Sequence, residues 1–345
     1  ISAVVDQFVE QGDINAVEER LAYVQEVESK LKSLVEKSEL YQSREELFGM
    51  AMTEYPQLES IQKAFEPYGN MWKMCAEFSR SLPEWMDGPF TALDPENVTN
   101  LMDTWYRGVM KAMKTLSGPP QQVCEALKEK IVAFQDNLPL IIALRNPGLR
   151  DRHWTRMSND LGFPVKADAS FSVTRALQLE LPKHLAIIEE VSEYASKEFS
   201  LERTLDKMQG DWTGVEFETM AWRETGSTIL KGLDETQMLL DDQIVKTQSM
   251  RSSPYIGPFE DRVKLWEKKI NTIQEVMDEW LKCQQGWLYL EPIFGSDDIM
   301  QQMPTEGRKF KTVDTTWRKT MEKLKTTAEV LIVGADEELL ASLNK

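Results

Sequence analysis

The sequence predicts a mainly α fold, packed antiparallel helical bundles with one small β-hairpin insert, and three observations predict it. Apolar residues recur at three- and four-residue steps over most of the 345-residue chain, the period of an amphipathic helix. Gly (17) and Pro (15) are modest in number and fall between the periodic stretches, where they act as turn signals. Only near residues 215–230 does the period drop to two. At about 100–200 residues per domain the length suits two folding units. With 41% apolar and 28% charged residues, the composition is that of a chain with a real core.

Val17, Leu21, Val24, Leu31 and Val35 line the first helix, with Glu28 interrupting the stripe and Asp13 near its start. After Pro56 a second helix follows through Leu58, Ile61, Phe65, Tyr68, Trp72, Cys75 and Phe78. Pro67 and Gly69 should kink it or split it in two, because an interior proline removes a backbone donor and crowds the preceding turn. Asp94-Pro95 opens a third helix: the carboxylate accepts from free N–H groups, and the fixed φ of proline suits the first helical position. Its face is Val98, Leu101, Trp105, Val109, Ala112 and Leu116, and Ser117-Gly118-Pro119-Pro120 stops it. Val123, Leu127, Ile131 and Phe134 carry a fourth helix up to Pro139. From about Asn146 to Gln209 the spacing stays helical, broken at Gly162-Phe163-Pro164.

Then Val215, Phe217 and Thr219 alternate with Glu216, Glu218 and Met220, and Arg223-Glu224-Thr225-Gly226-Ser227 supplies a turn before Thr228-Ile229-Leu230. This is a β-hairpin, and two short strands must rest on helices to be stable. Helical spacing resumes at Asp234, and Pro254–Pro258 interrupts it. A long helix then runs from Phe259 to Leu290 through Val263, Trp266, Ile270, Ile273, Met277, Trp280 and Trp287, closed by Pro292 and Gly295. A last helix from Val313 carries Trp317, Met321 and Leu324, and a final helical start lies at Asp336.

Fifty-seven acidic against 40 basic residues give a net charge of −17, a field that repels phosphates and disfavours nucleic acid as a partner. The longest apolar runs, Leu140–Leu144 and Val330–Val333, fall far short of the ~18 residues a spanning helix needs, so no membrane partner is expected. No signal peptide is visible, and the missing initiator Met points to a fragment of a longer chain. Cys75, Cys124 and Cys283 are isolated and odd in number, which reads as free, buried thiols in a reducing compartment. The two histidines, His153 and His184, share no ligand spacing with them, and His153 reads as a packed, hydrogen-bonded side chain. The acidic pairs Asp241-Asp242 and Asp297-Asp298 and the run Asp336-Glu337-Glu338 lack the pattern of a calcium loop. They read as helix N-termini and solvated faces. No phosphate loop, dinucleotide fingerprint or nucleophile elbow occurs. No catalytic, cofactor or metal site is therefore expected in this chain, and the ten Trp read as core. The residues alone lead to an acidic helical element with a mechanical or an interaction role.

Several strings carry the reading further. Asn146-Pro147-Gly148-Leu149-Arg150-Asp151-Arg152-His153-Trp154 resembles a signature of dynein heavy chains, in the region just before the motor ring. Ala195-Ser196-Lys197-Glu198, Leu201-Glu202, Leu205 and Trp212 resemble the next stretch of that region. Ser253-Pro254-Tyr255 ahead of Trp266 follows, and Gln284-Gln285-Gly286-Trp287-Leu288-Tyr289-Leu290-Glu291-Pro292-Ile293-Phe294 resembles the block after it. Asp298-Ile299, Met303-Pro304, Phe310 and Trp317 extend the match in order, and Ser296–Pro304 is more similar to axonemal than to cytoplasmic heavy chains.

The resemblance implies the linker, an elongated arched rod of helical bundles. Residues 1–145 would form its N-terminal bundle part, and 146–345 its C-terminal part with the hairpin. In the family this rod bends and straightens across a ring of ATPase modules and drives minus-end-directed microtubule motility, here ciliary beating. It implies ATP and Mg in the ring, not in this chain. The partners it implies are the ring of the same heavy chain, intermediate and light chains through a tail, and microtubules only through a stalk. The location it implies is the cytoplasm and cytoskeleton, in the axoneme of a cilium or flagellum. Bends are expected near Gly162–Pro164 or Gly210–Gly214. Arg150, Arg152, His153 and Trp154 are either an anchor within the linker or a contact with the ring. Glu202, Trp212, Trp266, Gln284, Trp287, Glu291 and Phe294 are the remaining structural or docking candidates. The alternative is a non-motor helical scaffold that binds partner proteins, though no fixed-period repeat supports a solenoid.

Overall fold

The computed structural model describes residues 7–8, 10, 12–14, 16–168 and 170–345. They divide into two compact units between Ser196 and Lys197. The partition drawn from the motifs lies at 145/146 instead, and residues 146–196 belong by their contacts to the first unit.

In the first unit, helices α1 (Val17–Leu47), α2 (Pro56–Asp87), α3 (Pro95–Ala112) and α4 (Pro119–Gln135) each pack on the next, and α5 (Leu138–Leu144) lies on α3. α1 buries Val17, Leu21, Val24, Val27 and Leu31, and Glu28, which breaks that stripe, meets Lys73 of α2 at 2.5 Å. α2 runs unbroken through Pro67 and Pro83, so the expected split does not occur. An interior proline costs about 3 kcal/mol. Phe65, Met71, Trp72, Cys75 and Phe78 are all buried along this helix, and each large apolar side chain contributes about 1.5–3 kcal/mol, which outweighs the loss.

Asp94 caps α3, accepting N–H bonds from Glu96 at 3.0 Å and Asn97 at 3.3 Å. α4 ends at Gln135, short of Pro139, which sits instead in the first turn of α5. There its missing N–H is not needed, so this proline begins a helix where the sequence pattern suggested an end. Phe78, Trp85, Trp105 and Phe134 meet ring to ring at 5.3–5.7 Å, and Trp105 Nε1 donates to Glu77 at 2.9 Å.

α6 (Asp151–Leu161) ends at Gly162, whose φ of +79° makes the left-handed turn that terminates it. The helical spacing expected up to Gln209 is interrupted further. After the loop come α7 (Val173–Gln178), a short 3-10 turn at Leu181–His184, and α8 (Leu185–Gly210), within which the division between the units falls.

In the second unit, β1 (Glu218–Ala221) and β2 (Thr228–Lys231) pair antiparallel with Thr219 opposite Leu230. They are followed by α9 (Asp234–Arg251), α10 (Glu260–Phe294), α11 (Asp297–Gln302), α12 (Pro304–Leu324), α13 (Val330–Val333) and α14 (Glu337–Leu343). α10 is the hub: all five of those helices and β2 pack on it. Val263, Trp266, Ile270, Ile273, Met277, Trp280, Gln284 and Trp287 are its buried seam, a strict alternation of three- and four-residue steps that keeps one face inward over many turns. α10 extends past Leu290 to Phe294 with Pro292 inside its last turn. α12 starts at Pro304, well before Val313, because its first turns bury only Gly307 and Phe310 and so show little apolar period. Asp336 caps α14. The strand leading into β1 is tied to the segment before α13, with Phe217 N–H donating to Ala328 O at 2.8 Å and Val330 N–H to Val215 O at 3.0 Å. Among the described residues no helix is long and apolar enough to cross a membrane.

Candidate functional site

The nine residues from Asn146 to Trp154 form the turn that opens α6, and side-chain groups of Asn146, Arg150 and His153 hold it. Asn146 is the centre. Its Oδ1 accepts from Gly148 N–H at 2.8 Å, which closes the turn locally. Its Nδ2 lies 2.8 Å from both Ser192 O and Ser192 Oγ and 2.6 Å from Ser196 Oγ, on α8. An amide has two hydrogens, so three acceptors at once means a shared, bifurcated donor. Arg150 Nη1 donates to the carbonyls of Pro147 at 2.8 Å and Leu149 at 3.4 Å. His153 is 2% exposed, and its Nδ1 accepts from Arg150 N–H at 3.0 Å, in the place a Glu or Gln takes in a capping box. An accepting Nδ1 leaves the ring proton on Nε2. The ring also meets Tyr194 edge-on at 6.4 Å. Trp154 is half-buried against the core of this unit, and Arg152 is exposed.

The second-unit candidates converge on α10. Gln284 is buried, and its side-chain amide pairs with both backbone groups of Leu230: Oε1 accepts from the N–H at 2.7 Å and Nε2 donates to the C=O at 3.0 Å. It serves as a one-residue substitute for a third strand. Trp287, 1% exposed, stacks on Trp317 of α12 with ring centroids 5.4 Å apart and donates from Nε1 to Asp314 Oδ1 at 3.0 Å. The same carboxylate accepts from Arg318 Nε, and Arg318 Nη1 donates to Thr225 O in the hairpin turn at 2.7 Å. α10, α12 and the hairpin are thus joined by one continuous polar chain. Phe294 stacks on Phe310 at 5.3 Å. Glu291 is half-buried, and its carbonyl closes the helix by accepting from Gly295 N–H at 2.8 Å.

Trp212 and Trp266 lie in the buried core of this unit, and Glu202 is half-buried on α8. Trp212 Nε1 donates to Gln243 Oε1 at 2.8 Å, and Gln243 Nε2 donates to Met208 O at 3.0 Å. Gln243 escaped the sequence reading, although a signal existed: Leu240, Gln243, Thr247 and Met250 follow three- and four-residue steps, which puts an amide on a buried face. Asp314, Arg318 and Thr225 gave no such signal.

What this arrangement can do chemically is hold segments of backbone together. Among the described residues no group of three or more His, Cys, Asp or Glu is placed to hold a metal ion. Burial pushes the Cys75 thiol up to about 12 and the Cys124 thiol up to about 11, and raises half-buried Cys283 as well. All three are protonated at neutral pH, the opposite of a nucleophilic cysteine.

Residues 58–345 match the family model described as "Dynein heavy chain, N-terminal region 2". The chain is 38% identical over 345 residues to dynein axonemal heavy chain 1 of Mus musculus, an alignment that covers 99% of this chain and 8% of the relative. It is 40% identical over 305 residues to human dynein axonemal heavy chain 3, covering 88% of this chain and 7% of that one. It is 36% identical over 344 residues to dynein axonemal heavy chain 12 of Mus musculus, covering 98% and 11%. The chain therefore spans about a tenth of the length of these relatives or less.

Proposed function

Because the chain belongs to the dynein heavy chain family, as the N-terminal region of an axonemal heavy chain, we propose that it is the linker of such a motor. The linker is the lever that bends and straightens across the ATPase ring to drive minus-end-directed sliding of microtubules in a cilium. One observation carries the reading within this chain. α10 is a single 35-residue helix onto which five further helices and the hairpin dock, and a lever must transmit force through an element that does not yield. In this reading ATP and Mg belong to the ring, and the residues described above hydrolyse nothing. Microtubules are reached through a stalk, intermediate and light chains through a tail, and Asn146–Trp154 is an anchor within the linker. A member of this family is a motor component, which leaves the non-motor scaffold without support.

The test is made in the complete heavy chain. Trp287→Ala removes the stacked ring and the donor to Asp314 from the junction of α10 and α12. Microtubule gliding should slow while ATP turnover by the ring persists, because the lever is damaged and the engine is not. Unchanged gliding overturns the proposal. So does parallel loss of gliding and ATPase on the same preparation, which marks general unfolding.

A further inference from the structure

The hairpin keeps a stretch of open ladder along β1. The bond from Trp222 N–H to Ser227 O at 3.0 Å fixes the alternation of the pair. With Thr219 opposite Leu230, the backbone groups of Thr219 and Ala221 then point away from β2, and those of Leu230 away from β1. Two contacts agree with this phase. Gln284 takes the outward groups of Leu230, and on the other side Phe217 N–H, two residues before Thr219, reaches Ala328 O. Past that bond the paired segment turns back onto the end of α12, where the N–H groups of Thr326 and Thr327 donate to Lys323 O, both at 3.1 Å. Among the described residues nothing pairs with the outward N–H groups of Thr219 and Ala221. Ala221 is exposed, as are Glu218 and Met220 on the outer face of the strand.

The charges at this edge want a cation. Glu216 and Glu329 stand directly opposite each other in an isolated antiparallel bridge. The bonds from Phe217 N–H to Ala328 O and from Val330 N–H to Val215 O flank them, which makes theirs a close, non-hydrogen-bonded pair. Like charges so placed repel, and both side chains are exposed. By the alternation of a strand Glu218 follows Glu216 on the same face. Glu218 meets Lys231 at 3.3 Å, but among the described residues no cation pairs with Glu216 or Glu329. A strand laid antiparallel on β1 would continue the line of Ala328–Val330. Its residue opposite Glu218 would lie beside all three carboxylates, where Lys or Arg fits. Its next outer-face residue would lie opposite Met220, 47% exposed, where an apolar side chain fits.

We propose that the free edge of β1 takes an extended basic segment of a separate polypeptide as an added strand. Backbone bonds at Thr219 and Ala221 hold the segment, and one Lys or Arg among Glu216, Glu218 and Glu329 sets its register. A second copy of this chain is a poor occupant, because its own β1, Glu218-Thr219-Met220-Ala221, carries a single charge of the wrong sign. A net charge of −17 draws basic segments toward the edge and repels acidic ones. The inference makes no use of the lever reading.

Hydrogen exchange on the purified complete heavy chain, resolved to single amides, tests it. The probe is a short acetylated Thr/Val peptide ending in a Lys amide, added at millimolar concentration. The amides of Thr219 and Ala221 should exchange fast without the probe and about tenfold more slowly with it. The E216Q/E329Q heavy chain should bind the probe about tenfold more weakly, while a slow Ile229 amide shows that its hairpin is intact. No slowing, slowing only at other amides, equal slowing by the same peptide with Glu for Lys, or unchanged affinity in E216Q/E329Q each overturns the proposal. So does an edge already slow without the probe, which would hand it to a second copy or to the heavy chain itself. None of these results touches the gliding and ATPase comparison, so the linker reading stands or falls separately.

Discussion

The two units solve the same packing problem in different ways. In the first, the long helices lean mainly on their sequence neighbours: α1 on α2, α2 on α3, α3 on α4. Its special contacts, such as the Asn146 turn, tie off chain ends and loops. In the second, five helices and β2 converge on one helix, α10, and Gln284 and Trp287 tie the hairpin and α12 to it. A neighbour-paired stack confines damage to the pair that suffers it. A hub spreads damage to everything docked on it.

The largest effect expected is that of Trp287→Ala. Truncating a fully buried aromatic typically costs about 3–5 kcal/mol, and hydrogen exchange should quicken in α9, α12 and α14 while α2 and α3 stay protected. Equal acceleration in α2 and α3 would break the contrast between the units. Gln284→Leu comes next. It keeps the bulk but strands the buried N–H and C=O of Leu230, at about 1–3 kcal/mol for each group left unpaired, and β2 should lose protection first. Exchange in β2 like that of the wild type would show that the amide does not hold the hairpin.

Asn146→Ala should be milder, about 0.5–1.5 kcal/mol for each net hydrogen bond lost, confined to α6 and the facing turns of α8. A destabilisation as large as that of Trp287→Ala, read from denaturant midpoints, would place a hub in the first unit too. The smallest effect, nil at neutral pH, comes from the thiols. Cys75 is held protonated to about pH 12 in the folded chain, against 9.0 when unfolded, so its contribution is fully present below pH 9 and is lost as pH rises from there. Chemical unfolding between pH 8 and 10 should show stability falling, by up to about 1.4 kcal/mol per pH unit above 9. The slope should be reduced in Cys75→Ser, and an identical slope in that variant would assign the alkaline loss to other groups.

The local devices could be read from the sequence because their causes lie within a few residues. The Asp94 cap, the helix start at Asp336, the break at Gly162, the hairpin and the seam of α10 are all of this kind. Single residues read as punctuation were less dependable. Pro67 does not divide α2 and Pro139 opens α5, because a proline ends a helix only when nearby burial is too small to offset its penalty. The start of α12 was hidden because the helix precedes its apolar face. The polar joints were out of reach for a different reason. That Gln284 faces a strand and Trp287 a carboxylate on α12 depends on which elements become neighbours, and apolar periodicity says only which face is covered.

The pairing of Gln284 with Leu230 also bears on how the molecule avoids sticking to itself. A two-stranded ribbon has two raw edges, each a template on which a foreign strand could grow. Here the strand entering β1 is paired with the segment around Ala328–Val330. The outward-facing backbone groups of Leu230 are already satisfied by a side chain. A glutamine fixed on a helix cannot propagate a sheet, so the amide ends the ladder as well as anchoring it. Position 284 therefore closes that edge of the ribbon to a foreign strand. A chain that loses the amide is expected to associate with other copies through the freed backbone groups of β2.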